Sequence, residues 1–362
     1  MTHSPAEPDA DARAWVDVSL DAVVANAQRV AQVSGTRLLP MVKANAYGLG
    51  AVPVTRALER IDPWGYGVAT IEEGTELRSA GIGRPVVVFT PFLPRWAGAM
   101  IGHDLTPVLC DPAALTAWLA AAPSRPFHIG IDTGMARAGF ACDDGAVLSA
   151  ARSLLEGAAA YAGVCTHFHS ADTDAVATDA QWDRFEEAVR ALGARPPLVH
   201  AANSAAALAG RRYAADLVRP GIFLYGGSAG REVPQPAAAL RARVVALREL
   251  APGSGVSYGA TWKAKARVAV ATVAIGYADG VLRSLGNGGA FELGGQAAPI
   301  RGRVTMDMTV VGAPGGVAVG DTATVFGGLI SLDDQAAAAG TISYELLTAM
   351  SSRVHRRYGP AS

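Results

Sequence analysis

Apolar and polar positions along the chain switch between two periods. Residues 15–20 alternate as a strand does, and Leu20, Val23, Val24, Ala27, Val30 and Ala31 then recur at helical spacing, with Ser19 placed to cap that helix. Short β-rich runs follow at 38–42, 65–70, 85–90, 106–110, 127–132, 161–168, 198–202 and 217–219. Amphipathic helical stretches such as 71–79, 146–156 and 179–192 lie between most of them. Eight strands alternating with helices predict an α/β fold whose all-parallel sheet closes into a (β/α)8 TIM-type barrel. The alternation stops near residue 230. Beyond it, runs at 240–250, 267–275, 291–293, 304–311 and 323–326 are separated by Gly-rich turns, with one late helix around 343–350. The expected plan is a tail over 1–12, a cofactor-binding barrel over 13–230 and a mostly β C-terminal domain over 231–362.

Composition narrows the function classes. The 362 residues carry 31 basic and 32 acidic side chains, a net charge of −1, which gives no electrostatic reason to expect nucleic acid or an anionic membrane as partner. Half of the residues are hydrophobic and only 17% charged, enough apolar material for a large core. Cys110, Cys142 and Cys165 are scattered with no CxxC pair, which fits free thiols in a reducing cytosol and no metal site. The first residues are acidic and Pro/Ala-rich, unlike a signal peptide, and no apolar stretch approaches a membrane span. A cytoplasmic protein that takes a small molecule is the expectation.

In such a barrel, polar groups at the C-terminal ends of strands are the catalytic candidates. The first strand runs into Lys43, Asn45 and Tyr47; the fifth into Asp132, Thr133 and Arg137; the sixth into His167 and His169. The seventh ends at His200, Asn203 and Ser204, the eighth at Arg219, Gly221 and Ile222. The loops after strands seven and eight commonly bind phosphate, and Gly221 lets a ligand approach the backbone closely. A lysine at a partly desolvated mouth has a lowered pKa and is nucleophilic. Lysine, phosphate cradle, flat imidazole and arginine together suit pyridoxal 5′-phosphate held as a Schiff base. No G-x-G-x-x-G or G-x-x-x-x-G-K-[ST] element points to a nucleotide instead.

The ordered blocks VKANAYGLG, IDTGMARAGF, THFHSAD, HAANSAAAL, RPGIFLYG, VSYGATW, AIGYADG, GRVTMDM and SSRVHRRYG span essentially the whole chain. In these it resembles the alanine racemases, pyridoxal-phosphate enzymes of fold-type III. The resemblance implies a barrel followed by a β domain, a head-to-tail homodimer with shared active sites, and interconversion of L- and D-alanine that supplies D-alanine for peptidoglycan. It implies that Lys43 is the Schiff-base lysine and one catalytic base, and that Tyr258 is the other, reaching into the partner's barrel. Tyr47, Asn203, Ser204, Gly221, Ile222 and Tyr358 match phosphate-holding positions, His167 the residue stacked on the pyridine ring, and Arg219 the one facing its nitrogen. Arg137 matches a residue near the phenolic oxygen and the substrate carboxylate. Met306 matches one meeting that carboxylate from the other subunit, and Tyr277 and Asp307 match the substrate access path.

Two bases on opposite faces of a planar carbanion suit racemisation, and a phenol needs a cationic or hydrogen-bonding neighbour such as His167 to serve as one. One departure stands out. Gly130 occupies a position where many relatives carry a carbamylated lysine that holds the neighbouring arginine. Arg137 is therefore expected to be oriented by another acid, an anion or water, or to be held more loosely. That leaves open a second reading, a racemase of another small amino acid such as serine.

Overall fold

The computed structural model describes residues 12–193 and 195–359, so the tail expected over 1–12 lies outside the described residues apart from Ala12. Eight parallel strands are where the alternation places them: Arg37–Leu38, Tyr66–Val68, Val86–Val88, Thr106–Leu109, Phe127–Asp132, Tyr161–Cys165, Leu198–His200 and Leu217–Val218. The second to seventh form one continuous parallel sheet, and the first and last pair in parallel with each other. Backbone bonds between these two groups close the ring. Val42 N–H donates to the Gly67 carbonyl at 2.8 Å on one side, and Asp216 N–H to Val199 at 3.0 Å and Arg219 N–H to Ala202 at 2.8 Å on the other. The strands are shorter than the apolar runs because their last residues leave the ladder at the mouth.

Helices cover the outside of this ring. Leu20–Ser34 starts where the sequence indicates, with the Ser19 hydroxyl accepting from Ala22 N–H at 3.1 Å, and buries Val23, Ala27 and Val30. Inside, Leu39, Val87, Val108, Cys165 and Leu217 pack as one apolar layer. Among the described residues no helix is long and apolar enough to cross a membrane.

The second sheet is built on the long strand Ala238–Leu250, which pairs antiparallel with Val268–Val273 and Thr322–Phe326. It also pairs with Ala14–Ser19, which in turn runs parallel to His355–Gly359. The first strand of the chain therefore hydrogen-bonds in the C-terminal sheet and not in the barrel, although the expected barrel began at residue 13. Alternation identifies a strand but carries no information about its partner. Two further elements have no clear sequence signal: the strand Gln296–Pro299 and the Ala-rich helix Leu332–Ala339. The run at 304–311 divides into a loop and the strand Thr309–Gly312. Helix Ser343–Ala349 packs against the Lys43–Tyr47 segment and so brings the second domain to the mouth of the barrel.

Candidate active site

Lys43 begins an unusual turn. Ala44, Asn45, Ala46 and Tyr47 all have left-handed φ values, from 52° to 55°, before Gly48 at 86°. Each such non-glycine residue costs roughly 1–2 kcal/mol, so the turn persists only because its surroundings over-determine it. Gly48 N–H donates to Ala44 at 2.8 Å and Gly50 N–H to Asn45 at 2.9 Å. Tyr47 stacks on Tyr225 with ring centroids 4.6 Å apart, and the Tyr225 hydroxyl donates to the Met41 carbonyl at 2.7 Å. The turn leaves the Lys43 side chain lining the barrel mouth. Burial there pushes its amine below the ordinary lysine range, the nearby Arg137 and Arg219 act the same way, and Glu73 opposes them.

A cavity of about 260 Å³ at the mouth gathers nine of the residues singled out from the sequence: Lys43, Tyr47, Arg137, His167, Asn203, Ser204, Arg219, Gly221 and Ile222. A second cavity of about 370 Å³ shares Lys43, Arg137, His167 and Arg219 and extends past Gly130 to Cys110 and Cys165. The Asn203 side chain caps helix Ser204–Leu208 by accepting from Ala206 N–H at 3.1 Å. The Ser204 hydroxyl accepts from Gly221 N–H at 2.9 Å and so joins the seventh and eighth loops. A Cβ at position 221 would lie 2.3 Å from the Tyr47 hydroxyl oxygen, so only glycine keeps this cradle open.

Arg219 is a buried cation with no carboxylate partner among the described residues. It donates to the carbonyls of His200, Thr166 and Ala201 at 2.7, 2.6 and 3.0 Å and to Nδ1 of His200 at 2.8 Å. It also faces Nδ1 of His167 at 3.4 Å. Burial first, then Arg219, Arg137 and Lys43, push the His167 imidazole down to about 3. His167 is therefore neutral at pH 7, an acceptor towards Arg219 with its proton on Nε2. Asp132, by contrast, is a turn builder: its carboxylate accepts from Gly134 and Ala136 N–H at 2.9 and 3.1 Å.

Residues 18–229 match the alanine racemase N-terminal domain family, and residues 237–358 its C-terminal domain. The chain belongs to the alanine racemase family. It is 39% identical over 367 residues to the alanine racemase of Salinispora tropica, covering 96% of this chain and 98% of that one. It superposes on the crystal structure of alanine racemase from Streptomyces lavendulae with a TM-score of 0.89, at 32% identity over 97% of this chain and 98% of that chain. The alanine racemase of Bartonella henselae, solved with covalently bound pyridoxal phosphate, superposes with a TM-score of 0.89 at 28% identity, covering 96% of this chain and 99% of that one. The alternative of a racemase for serine gains no support from these relatives.

The other residues expected from this family fall outside the cavity. Tyr258, Tyr277 and Met306 are exposed on the second domain at 72%, 44% and 52%, and Asp307 is engaged by Arg353 at 2.7 Å. Their loops are stitched together. Ser257 Oγ donates to the Arg303 carbonyl at 2.7 Å, Tyr277 N–H to Thr305 at 3.0 Å and Ala278 N–H to Met306 at 3.0 Å.

Tyr358 is a difference from expectation. Its hydroxyl donates to the Leu49 carbonyl at 3.1 Å, outside the cavity. A tyrosine not singled out from the sequence, Tyr344, lines the cavity instead, 5.9 Å from the Tyr47 ring, together with Thr348. Neither was evident from the barrel pattern, because both come from the helix Ser343–Ala349 of the other domain. Arg137 has no ion pair or hydrogen bond among the described residues, so no acid of that set orients it.

Proposed function

We propose that this chain interconverts L- and D-alanine with pyridoxal 5′-phosphate in the barrel cavity, as a cytoplasmic homodimer that supplies D-alanine for peptidoglycan. The observation that carries the reading is the convergence, in one cavity, of a desolvated lysine, a buried arginine without a carboxylate and a glycine-lined cradle. The donor set fits the cofactor. Ser204, Asn203, Tyr47 and the Gly221–Ile222 backbone would hold its phosphate, His167 and Arg219 would face its ring, and Lys43 would attach it. Once bound, the group supplies the electron withdrawal that lets an amino acid release its α-proton.

The chain's residues supply the proton traffic. Lys43, shifted towards its neutral amine, takes up or returns a proton at Nζ on one face of the substrate Cα. Tyr258, contributed by a second copy, serves the opposite face. Its exposure, beside the exposed Met306 and Tyr277, supports a role at a subunit boundary. Neutral His167 assists that phenol as an Nε2–H donor and not as a cation, which narrows the sequence expectation. Arg219 does not give up its proton, so a base facing it is hydrogen-bonded and not protonated, which favours simple proton exchange over wider carbanion chemistry. Arg137 and Met306 would receive the substrate carboxylate, with Tyr277 and Asp307 along the access path.

The test is exchange and inversion of alanine by the purified protein in deuterated water. Both activities, and the visible absorbance of bound cofactor, are expected to vanish in Lys43→Ala. Tyr258→Phe should exchange the α-proton of one enantiomer without inverting it. Undiminished racemisation in Tyr258→Phe would overturn the two-base reading.

A further inference from the structure

Among the described residues two charged side chains hold the left-handed turn behind Lys43 from outside: Arg356 at its Gly48 end and Glu73 at the end that carries Lys43. Glu73 lies in the first turn of helix Ile71–Ser79, where it forms a capping box with Thr70: Glu73 N–H donates to the Thr70 hydroxyl at 3.3 Å, and a Glu73 oxygen accepts from Thr70 N–H at 3.3 Å. That same oxygen, Oε2, accepts from Ala69 N–H at 2.7 Å. Capping uses only half of the carboxylate. Its other oxygen, Oε1, reaches across to the first strand's loop and accepts from Ala44 N–H at 2.7 Å.

Ala44 directly follows Lys43 and is the first of the four left-handed residues. Its N–H, in the first turn of the segment, has no acceptor within the turn, and it meets a carboxylate at the short distance of a charge-assisted bond. The turn is also held by its own backbone, Ala46 N–H donating to Val42 and Gly48 N–H to Ala44, each at 2.8 Å. At its far end Asn45 Oδ1 accepts from Ala51 N–H at 2.7 Å and Arg356 Nε donates to the Gly48 carbonyl at 2.9 Å. Among the described residues Glu73 is the charged side chain that grips the end carrying Lys43.

We propose that Glu73 is a positioning residue for the reaction: its carboxylate spans the second-strand loop and the Lys43 loop, locks the left-handed turn at Ala44 and thereby aims the Lys43 amine into the cavity. The inference rests on Lys43 being the reactive amine. It makes no demand that Glu73 touch substrate or cofactor. The charge of Glu73 lies close enough to favour protonated Lys43, against the opposing Arg137 and Arg219, so Glu73 also keeps the amine from being desolvated without a counter-charge.

The experiment compares Glu73→Gln with Thr70→Ala in the holoenzyme. Thr70→Ala removes the other half of the capping box and leaves the Ala44 bond intact. Amide hydrogen exchange of the segment 43–48 is expected to quicken on the order of tenfold to a hundredfold in Glu73→Gln, the usual weight of a hydrogen bond to a charged group. In Thr70→Ala it should stay near the parental rate. The kcat for alanine should fall at least about tenfold in Glu73→Gln with KM nearly unchanged, since a misaimed base loses rate and not ground-state binding. Should Glu73→Gln unfold, Glu73→Asp, one methylene short of Ala44, replaces it in the same comparison. Unaltered exchange over 43–48, or equal quickening in Thr70→Ala, overturns the inference whatever the enzyme's activity. Racemisation surviving in Lys43→Ala would instead sink the functional reading on which it rests.

Discussion

Arg219 donates to Nδ1 of His200 at 2.8 Å, and this one bond sets the protonation of a chain of rings across the barrel interior. With Nδ1 accepting, neutral His200 carries its proton on Nε2, which lies 2.9 Å from Nδ1 of His128. His128 must then carry its own proton on Nε2, and that atom is buried without a partner among the described residues. The row ends in an orphan donor, and the net effect is a buried arginine whose ring partner accepts from it and cannot compete with it for protons.

The arrangement predicts acid lability. Burial first, and then Arg219, push His128 down to about 3 and hold His200 well below its ordinary value of 6.5. Unfolding returns both to that ordinary value, so the unfolded chain binds more protons once the pH drops below about 6.5. The stability from keeping them neutral is fully present above that pH and is lost at about 1.4 kcal/mol per pH unit for each ring as the pH falls. With His167 depressed in the same way, urea unfolding at pH 5.5 should therefore give an unfolding free energy about 4 kcal/mol lower than at pH 8. A flat profile between these points would mean that the rings are not buried as neutral species.

Asp279 is predicted to be the most sensitive position of the second domain. Its fully buried carboxylate binds Arg13 at 2.6 Å, Arg353 at 3.2 Å and Gly276 N–H at 3.0 Å, while Arg353 continues to Asp307. Asp279→Asn leaves two guanidinium groups short of their counter-charge and should cost about 3 kcal/mol, near the lower end for a broken buried pair because Arg13 is partly solvated. The loops carrying Tyr277 and Met306 hang from this cluster, so racemisation should fall further than the loss of folded protein explains. Wild-type stability by urea titration would contradict the assignment.

The lysine expected at position 130 cannot simply be placed there. A Cβ there would sit 3.1 Å from both Cys110 Sγ and Val108 Cγ1, tighter than ordinary contact. Gly130→Lys alone is expected to lose about 1–3 kcal/mol through overpacking. Adding Cys110→Ala relieves one of the two contacts and should recover about half of it. Thermal unfolding of the single and double variants checks this, and an unperturbed single variant would show that the neighbouring strand yields freely.

Tyr344 lines the cavity beside Tyr47, where the phosphate is proposed to sit. Removing a ring contact of this kind is worth about 0.5–1.5 kcal/mol, so Tyr344→Ala should release pyridoxal phosphate roughly three- to tenfold faster during dialysis, with Tyr344→Phe close to the parent. Equal retention in the alanine variant would remove Tyr344 from the site.

Much of this molecule is legible in the one-dimensional pattern. The eight barrel strands, the Ser19 cap and the rim residues from Lys43 to Ile222 follow from local periodicity and from the rule that parallel strands present their chemistry at their C-terminal ends. Those features depend on neighbours within a few residues, which the sequence lists side by side. What the tertiary structure alone decided depends on groups far apart in the chain. It placed Ala14–Ser19 in the C-terminal sheet, set Tyr344 and not Tyr358 at the cavity, carried Glu73 across to Ala44 and lined up Arg219, His200 and His128. Such meetings are set by strand pairing and by the docking of one domain on another, and a side chain's periodicity says which face it occupies but not what waits there.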